Sequence, residues 1–165
     1  MINLTVYFTF ILTLIFVNRT LAQTNKTNNI NTHRELSLKN EFKEFIIYSL
    51  SDTIKGDFNG DKIFDLVYIT QNPKEIFIID GKSRKSVKVG SHKSFGDMQN
   101  QFNWIDYWGT TNDNETYEIV IDDSEIVGDR KVKLINTSIF LRKDEVGGGI
   151  ITYKNGEFIW IHQSD

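Results

Sequence analysis

The residues best suited to do chemistry lie in one loop, where acidic and amide side chains alternate directly before an apolar run. Asp57, Asn59, Asp61 and Asp65 stand at loop positions 1, 3, 5 and 9. A calcium ion takes about six to eight oxygen ligands, and side chains at these positions with a backbone carbonyl at position 7 supply most of them. The spacing therefore predicts a structural Ca²⁺ site. The alternative is a metal-free turn in which Asp side chains accept hydrogen bonds from backbone N–H groups.

The same loop resembles the Asp-x-Asn-x-Asp-Gly-x-x-Asp-Leu core of FG-GAP and VCBS-type repeats, which form β-propellers in integrin-like and secreted bacterial proteins. The matching residues are Asp57, Asn59, Asp61, Asp65 and Leu66. The resemblance implies that calcium is held between two antiparallel strands by the side chains of Asp57, Asn59, Asp61 and Asp65 and by the carbonyl of Ile63. Lys62 stands where that family has Gly, which affects both the tight turn and the charge of the site.

The resemblance covers only about residues 54 to 70, which is one repeat. A closed propeller needs several blades, so the loop is expected to form one hairpin of a different β-domain. An EF-hand is excluded, because Lys62 and Tyr68 stand where it requires Gly and a bidentate Glu. The layout as a whole also resembles small exported proteins of Bacteroidetes-type bacteria, and that resemblance implies no activity.

The amino-terminal segment indicates export. An almost unbroken apolar run from Leu4 to Val17 is followed by the small-residue exit Thr20-Leu21-Ala22, which is typical of a signal peptide cut after Ala22. The run is shorter than the roughly 20 residues of a membrane span. Because the first three residues carry no Lys or Arg, an uncleaved anchor is the alternative. We expect a periplasmic or extracellular protein with no stable membrane insertion after cleavage.

Composition narrows the possible partners. The chain has a formal net charge of −3 and no Cys, so thiol chemistry and Cys-based zinc sites are excluded. A mildly acidic chain without basic clusters is not typical of nucleic-acid binding. The expected partner is therefore an unidentified protein or a glycan.

The pattern downstream of a polar Asn/Thr tract is strand after strand, which predicts an all-β fold. We expect a signal peptide over 1–22 in helical form, a disordered leader over 23–34 and a single β-rich domain over 35–165. Its strands are expected to be mainly antiparallel, in a meander, a sandwich or a partly open barrel. The turn Lys154-Asn155-Gly156-Glu157 predicts a carboxy-terminal hairpin. The candidate strands are Phe45–Leu50, Phe64–Thr70, Glu75–Asp80, Ser86–Gly90, Phe102–Tyr107, Thr116–Asp122, Lys131–Ile135, Ser138–Arg142, Gly149–Tyr153 and Glu157–His162.

A second candidate site is the aromatic segment from Phe102 to Asp113. Trp104 and Trp108, beside Asn and Asp residues, could form a ligand or partner surface, since aromatic side chains with a polar tip serve in recognition. The alternative is that they are core residues at alternate strand positions.

The sequence contains no recognisable catalytic set, because its three His residues fall in separate segments and no metalloprotease or Ser-His-Asp spacing occurs. We therefore expect a non-catalytic binding or interaction module. One alternative is a carbohydrate-active hydrolase with paired carboxylates near Trp104 and Trp108. Another is a protein-directed inhibitor or immunity protein. A cleft lined by two close carboxylates, at least one with a raised pKa, would favour the enzyme.

Overall fold

The computed structural model describes residues 31–90 and 102–163. The predicted signal peptide and the leader up to residue 30 lie outside the described residues. Residues 31–41 are helical, so the prediction of a disordered leader is wrong for residues 31–34. The chain divides into two units, Met1–Glu41 and Phe42–Asp165. In the two described ranges, no helix has the length and apolar character needed to cross a membrane.

The second unit is built from antiparallel strands, which confirms the all-β prediction. Its described residues form a five-stranded sheet in the order β1-β6-β9-β10-β11, a four-stranded sheet in the order β2-β3-β4-β5, and the ribbon β7-β8. The strands are β1 (Phe45–Tyr48), β2 (Ile54–Gly56), β3 (Asp65–Ile69), β4 (Ile76–Ile79), β5 (Ser86–Lys88), β6 (Tyr107–Thr111), β7 (Glu115–Asp122), β8 (Glu125–Lys133), β9 (Ser138–Lys143), β10 (Gly147–Lys154) and β11 (Glu157–Gln163).

One hydrophobic core joins the two larger sheets, as in a β-sandwich. Along β3 the buried positions alternate at Asp65, Val67 and Ile69, as the period of two requires for a sheet with one buried face. The core cluster combines residues of the four-stranded sheet, such as Val67 and Ile78, with Trp108 and Ile151 of the five-stranded sheet. Burial of this shared apolar surface is the main force holding the sheets together.

Two strand predictions are wrong. Residues 102–106 form a turn, closed by the Ile105 N–H donating to the Phe102 carbonyl at 3.1 Å, and β6 begins only at Tyr107. The alternating aromatic residues resemble a strand, but Phe102 and Ile105 are both fully buried at a spacing of three. β8 begins six residues earlier than predicted, at Glu125. The three-residue strand β2 was not predicted, because it is too short to show a period.

The predicted carboxy-terminal hairpin is confirmed. Asn155 and Gly156 have positive φ values of 53° and 92°, the combination that a two-residue type I′ turn requires. The turn pairs Lys154 with Glu157 and brings Tyr153 opposite Phe158 in the β10–β11 register. Both aromatic rings therefore lie at the same end of the sheet.

A buried polar network ties the five-stranded sheet to the ribbon. Arg142 on β9 is 2% exposed and donates to the Gly149 carbonyl at 3.0 Å and to Gln163 Oε1 at 2.6 Å. Gln163 in turn donates to Thr116 Oγ1 at 2.7 Å and to the Tyr117 carbonyl at 3.2 Å. The network thus joins β9, β10 and β11 to β7.

Candidate functional site

The predicted calcium loop connects β2 to β3, whose register pairs Gly56 with Asp65. Gly60 and Lys62 adopt left-handed φ values of 81° and 68°. Lys62 therefore takes the conformation for which Gly is best suited, at a cost of roughly 1 kcal/mol. The chain therefore makes a tight turn with Lys at this position.

Side-chain oxygens of the loop cap its own backbone. Asp57 accepts hydrogen bonds from the N–H groups of Gly60 at 2.7 Å and Lys62 at 3.0 Å. Asn59 and Asp61 each accept from the backbone N–H two residues further on, at 2.9 Å. These are the local bonds by which Asp and Asn stabilise a turn without metal.

Asp65 joins this loop to the turn between β4 and β5. Its side chain is buried, with 1% exposure, and it accepts from the Phe58 N–H at 3.1 Å and the Gly81 N–H at 2.8 Å. Burial raises the pKa of Asp65 above its ordinary value, because desolvation outweighs the hydrogen bonds from Gly81 and Phe58. Gly81 is required at this contact, since a Cβ there would collide with the Phe64 carbonyl.

Asp80 makes a second connection between the two turns. Asn59 Nδ2 donates to Asp80 Oδ2 at 2.7 Å, and the other Asp80 oxygen accepts from the Ser83 backbone N–H. Hydrogen bonds from Ser83, first its side chain and then its backbone, lower the pKa of Asp80. Asp80 therefore stays ionised beside Asn59.

The four predicted ligand side chains are engaged in hydrogen bonds with backbone N–H groups of the chain. Asp65 is directed to the Phe58 and Gly81 N–H groups, and Asn59 is held between Asp61 and Asp80. Across residues 31–90 and 102–163, no group of three or more His, Cys, Asp or Glu side chains could hold a metal ion. The geometry fits the capped turn, and calcium binding at Asp57, Asn59, Asp61, Ile63 and Asp65 stays a prediction from the sequence.

The prediction that Trp108 forms a recognition surface is wrong. Its side chain is fully buried on β6, and its indole N–H donates to the Ser49 carbonyl at 2.8 Å. Trp104 is half-buried and packs edge to face against Trp160, with ring centroids 6.2 Å apart. Packing in the core of the sandwich accounts for Trp108, on a strand whose five positions are all buried.

The carboxylates beside this segment cap backbone groups. Asp106 accepts from the Asp144 N–H at 3.1 Å, and Asp113 accepts from the N–H groups of Lys43 and Glu44 at 2.9 and 3.1 Å. These contacts give both residues a structural role. They do not support the predicted pairing of catalytic carboxylates near Trp104 and Trp108.

A concave site lies instead beside the capped loop. We call this cavity of about 540 Å³ the loop cleft. Its size is within the range of about 300–1,000 Å³ that is typical of small-molecule sites. It is lined by the two capped turns, by β5 and by the β10–β11 hairpin, through Asn59, Asp65, Ile78, Asp80, Ser83, Lys85, Val87, Lys88, Val89, Gly90, Tyr153, Asn155, Gly156, Glu157 and Phe158.

Asp65 and Asp80 are the paired carboxylates of the loop cleft. Their pKa values are shifted in opposite directions, and the charge of Asp80 adds to the raised pKa of Asp65. Opposed shifts are typical of acid–base pairs. However, both oxygens of each carboxylate already accept hydrogen bonds from the chain, and Asp65 is almost completely buried.

Sequence reasoning missed Asp80, Ser83, Tyr153 and Phe158 as site residues. The turn sequence Asp80-Gly81 was a usable signal for a loop, but its proximity to Asn59 depends on the pairing of β3 with β4. Tyr153 and Phe158 belong to the predicted hairpin, yet only the tertiary structure brings them to the loop cleft. Comparison with family models, curated proteins and solved structures found no match to this chain.

Proposed function

We propose that this chain is an exported, non-catalytic binding module whose ligand site is the loop cleft. The observation that carries the proposal is the lining of this cleft, where the aromatic side chains Tyr153 and Phe158 accompany the hydrogen-bonded polar pair Asn59 and Asp80. Ligand sites commonly combine apolar and aromatic walls with a few fixed polar groups. The four residues supply that combination.

The polar groups are held before any ligand arrives. Asn59 is fixed by its bonds to Asp61 and Asp80, and Asp80 is fixed by Ser83. A site whose side chains are already ordered loses less conformational entropy when it binds. The capped turns thus have a role in the proposed function, since they set the positions of the binding groups.

The proposal is tested by ¹H–¹⁵N NMR titration with four defined probes: cellobiose, maltose, adenosine monophosphate and trialanine. At least one probe is expected to give saturable shifts of the Ser83, Tyr153 and Gly156 amides, and Tyr153→Ala should weaken them. Tyr68→Ala is the matched control, because Tyr68 also packs against a Phe ring but does not line the cleft. If none of the four probes shifts these amides, the proposal is refuted.

A second candidate is a hydrolase that uses Asp65 and Asp80, and the opposed pKa shifts of these two carboxylates favour it. It ranks below the binding module because the Asp65 oxygens are occupied and shielded from solvent. Hydrolysis of chromogenic aryl glycosides by the wild-type protein, lost in Asp80→Asn, would support the hydrolase. No hydrolysis by the wild-type protein would remove this candidate.

A further inference from the structure

The loop cleft presents an aromatic surface formed by two rings. Tyr153 and Phe158 are cross-strand neighbours at the end of the β10–β11 hairpin, with ring centroids 5.0 Å apart and planes at 63°. Both residues are partly exposed, and Phe158 also packs against the hydrophobic core, so that Tyr153 is the ring offered to a ligand. The hairpin supports the rings through the tight turn at Asn155 and Gly156. An aromatic face on a rigid support suits a flat ligand with an apolar C–H face.

The polar pair of the cleft places a donor directly beside an acceptor. Asn59 has two amide hydrogens, of which one bonds to Asp80, and each carboxylate oxygen of Asp80 can accept more than one hydrogen bond. The pair can therefore donate to one ligand oxygen and accept from the neighbouring one. Two adjacent hydroxyl groups match this arrangement, because every hydroxyl can both donate and accept.

The charges lining the cleft do not favour an anionic ligand. The acidic lining residues are Asp65, Asp80 and Glu157, against the basic residues Lys85 and Lys88. Lys88 is already paired with Glu75 at 2.6 Å. Recognition of phosphate or carboxylate groups uses Arg and Lys in excess over acids, and this lining has no such excess.

A sugar ring has an apolar face, adjacent hydroxyl groups and no charge, and it therefore matches these features of the cleft. We infer that the ligand of the loop cleft is a neutral saccharide, held by stacking on Tyr153 and by hydrogen bonds from its adjacent hydroxyls to Asn59 and Asp80. This inference rests on the function proposed above and names the ligand class of the same site.

The test uses the full chain and compares the dissociation constants of cellobiose and maltose with those of adenosine monophosphate and trialanine. At least one disaccharide is expected to shift the amides of Ser83, Tyr153 and Gly156 saturably, while the nucleotide and the peptide do not. Tyr153→Ala should weaken disaccharide binding about tenfold, which is the order of one ring contact, and Tyr153→Phe should keep the stacking. Asn59→Ala should weaken binding about fivefold through its lost hydrogen bonds.

Tyr68→Ala is the matched control and should leave the dissociation constant unchanged, because its ring pair lies outside the lining of the cleft. Disaccharide binding that is insensitive to Tyr153→Ala, or that shifts amides elsewhere, overturns the inference. Binding of only the nucleotide or the peptide at the cleft also overturns it, while the binding module itself stands. If none of the probes reaches the cleft, the inference and the proposed function fail together.

Discussion

Replacing Asp65 by Asn should destabilise the second unit although the two side chains have nearly the same shape. Asp65 accepts from the Phe58 N–H at 3.1 Å and the Gly81 N–H at 2.8 Å, one with each oxygen. Asn offers one acceptor oxygen, and its amide N–H₂ would face the second N–H group. A buried donor left without an acceptor costs about 1–3 kcal/mol.

For a unit of this size we therefore expect Asp65→Asn to lower the melting temperature by roughly 3–10 °C. The free energy of unfolding is measured by urea titration at neutral pH, with circular dichroism as the readout. Asp61→Asn is the matched control, because Asp61 is exposed and caps only the Ile63 N–H of the same loop. A change in unfolding free energy of less than about 0.5 kcal/mol for Asp65→Asn, within the range of ordinary surface substitutions, would refute this role of Asp65 in joining the two turns.

The pH dependence of the unfolding free energy tests whether burial or hydrogen bonding dominates at Asp65. Burial raises the pKa of Asp65 above 3.8, so the folded chain holds this proton more tightly than the unfolded chain does. The contribution of Asp65 to the free energy of unfolding is fully present below pH 3.8 and is lost as the pH rises through the pKa of the folded chain. Asp65→Asn lacks the titrating group, so the difference in unfolding free energy between wild type and variant should narrow as the pH rises. A widening difference would mean that the hydrogen bonds from Gly81 and Phe58 outweigh burial.

Three further predictions concern the core, the polar network and the loop. Trp108→Phe should reduce the free energy of unfolding by about 1–3 kcal/mol in urea titration, because it leaves the Ser49 carbonyl without its indole donor. An unchanged free energy of unfolding would contradict the role of Trp108 in the core. Arg142→Ala should lower the free energy of unfolding by about 3 kcal/mol or more in the same assay, because Gln163 loses its hydrogen bond from Arg142. It should also increase amide hydrogen exchange in the β7–β8 ribbon, and unaltered exchange there would argue against the network. Calcium titration by calorimetry should give no saturable heat if the loop side chains keep their hydrogen bonds to the backbone. Saturable calcium binding that is lost in Asp61→Ala would instead establish the metal site.

The local sequence predicted most of the β-structure. Short runs rich in Ile, Val and aromatic residues, bounded by turn residues, placed β3, β4, β7 and β9 nearly correctly. Asn155-Gly156 predicted its turn because few other pairs adopt two positive φ values. The alternate spacing of Phe102 and Trp104 predicted a strand at residues 102–106, where the backbone forms a turn instead.

The sequence by itself determined the strands, the tight turns and the acidic loop, because these depend on neighbours within a few residues. The tertiary structure decided which of these groups meet. Pairing of β3 with β4 brings Asp65 to Gly81, sixteen positions away, and packing of the hairpin brings Tyr153 to the same cleft. Burial in the sandwich removed Trp108 from the surface. Such outcomes depend on long-range packing, which no local pattern of residue types encodes.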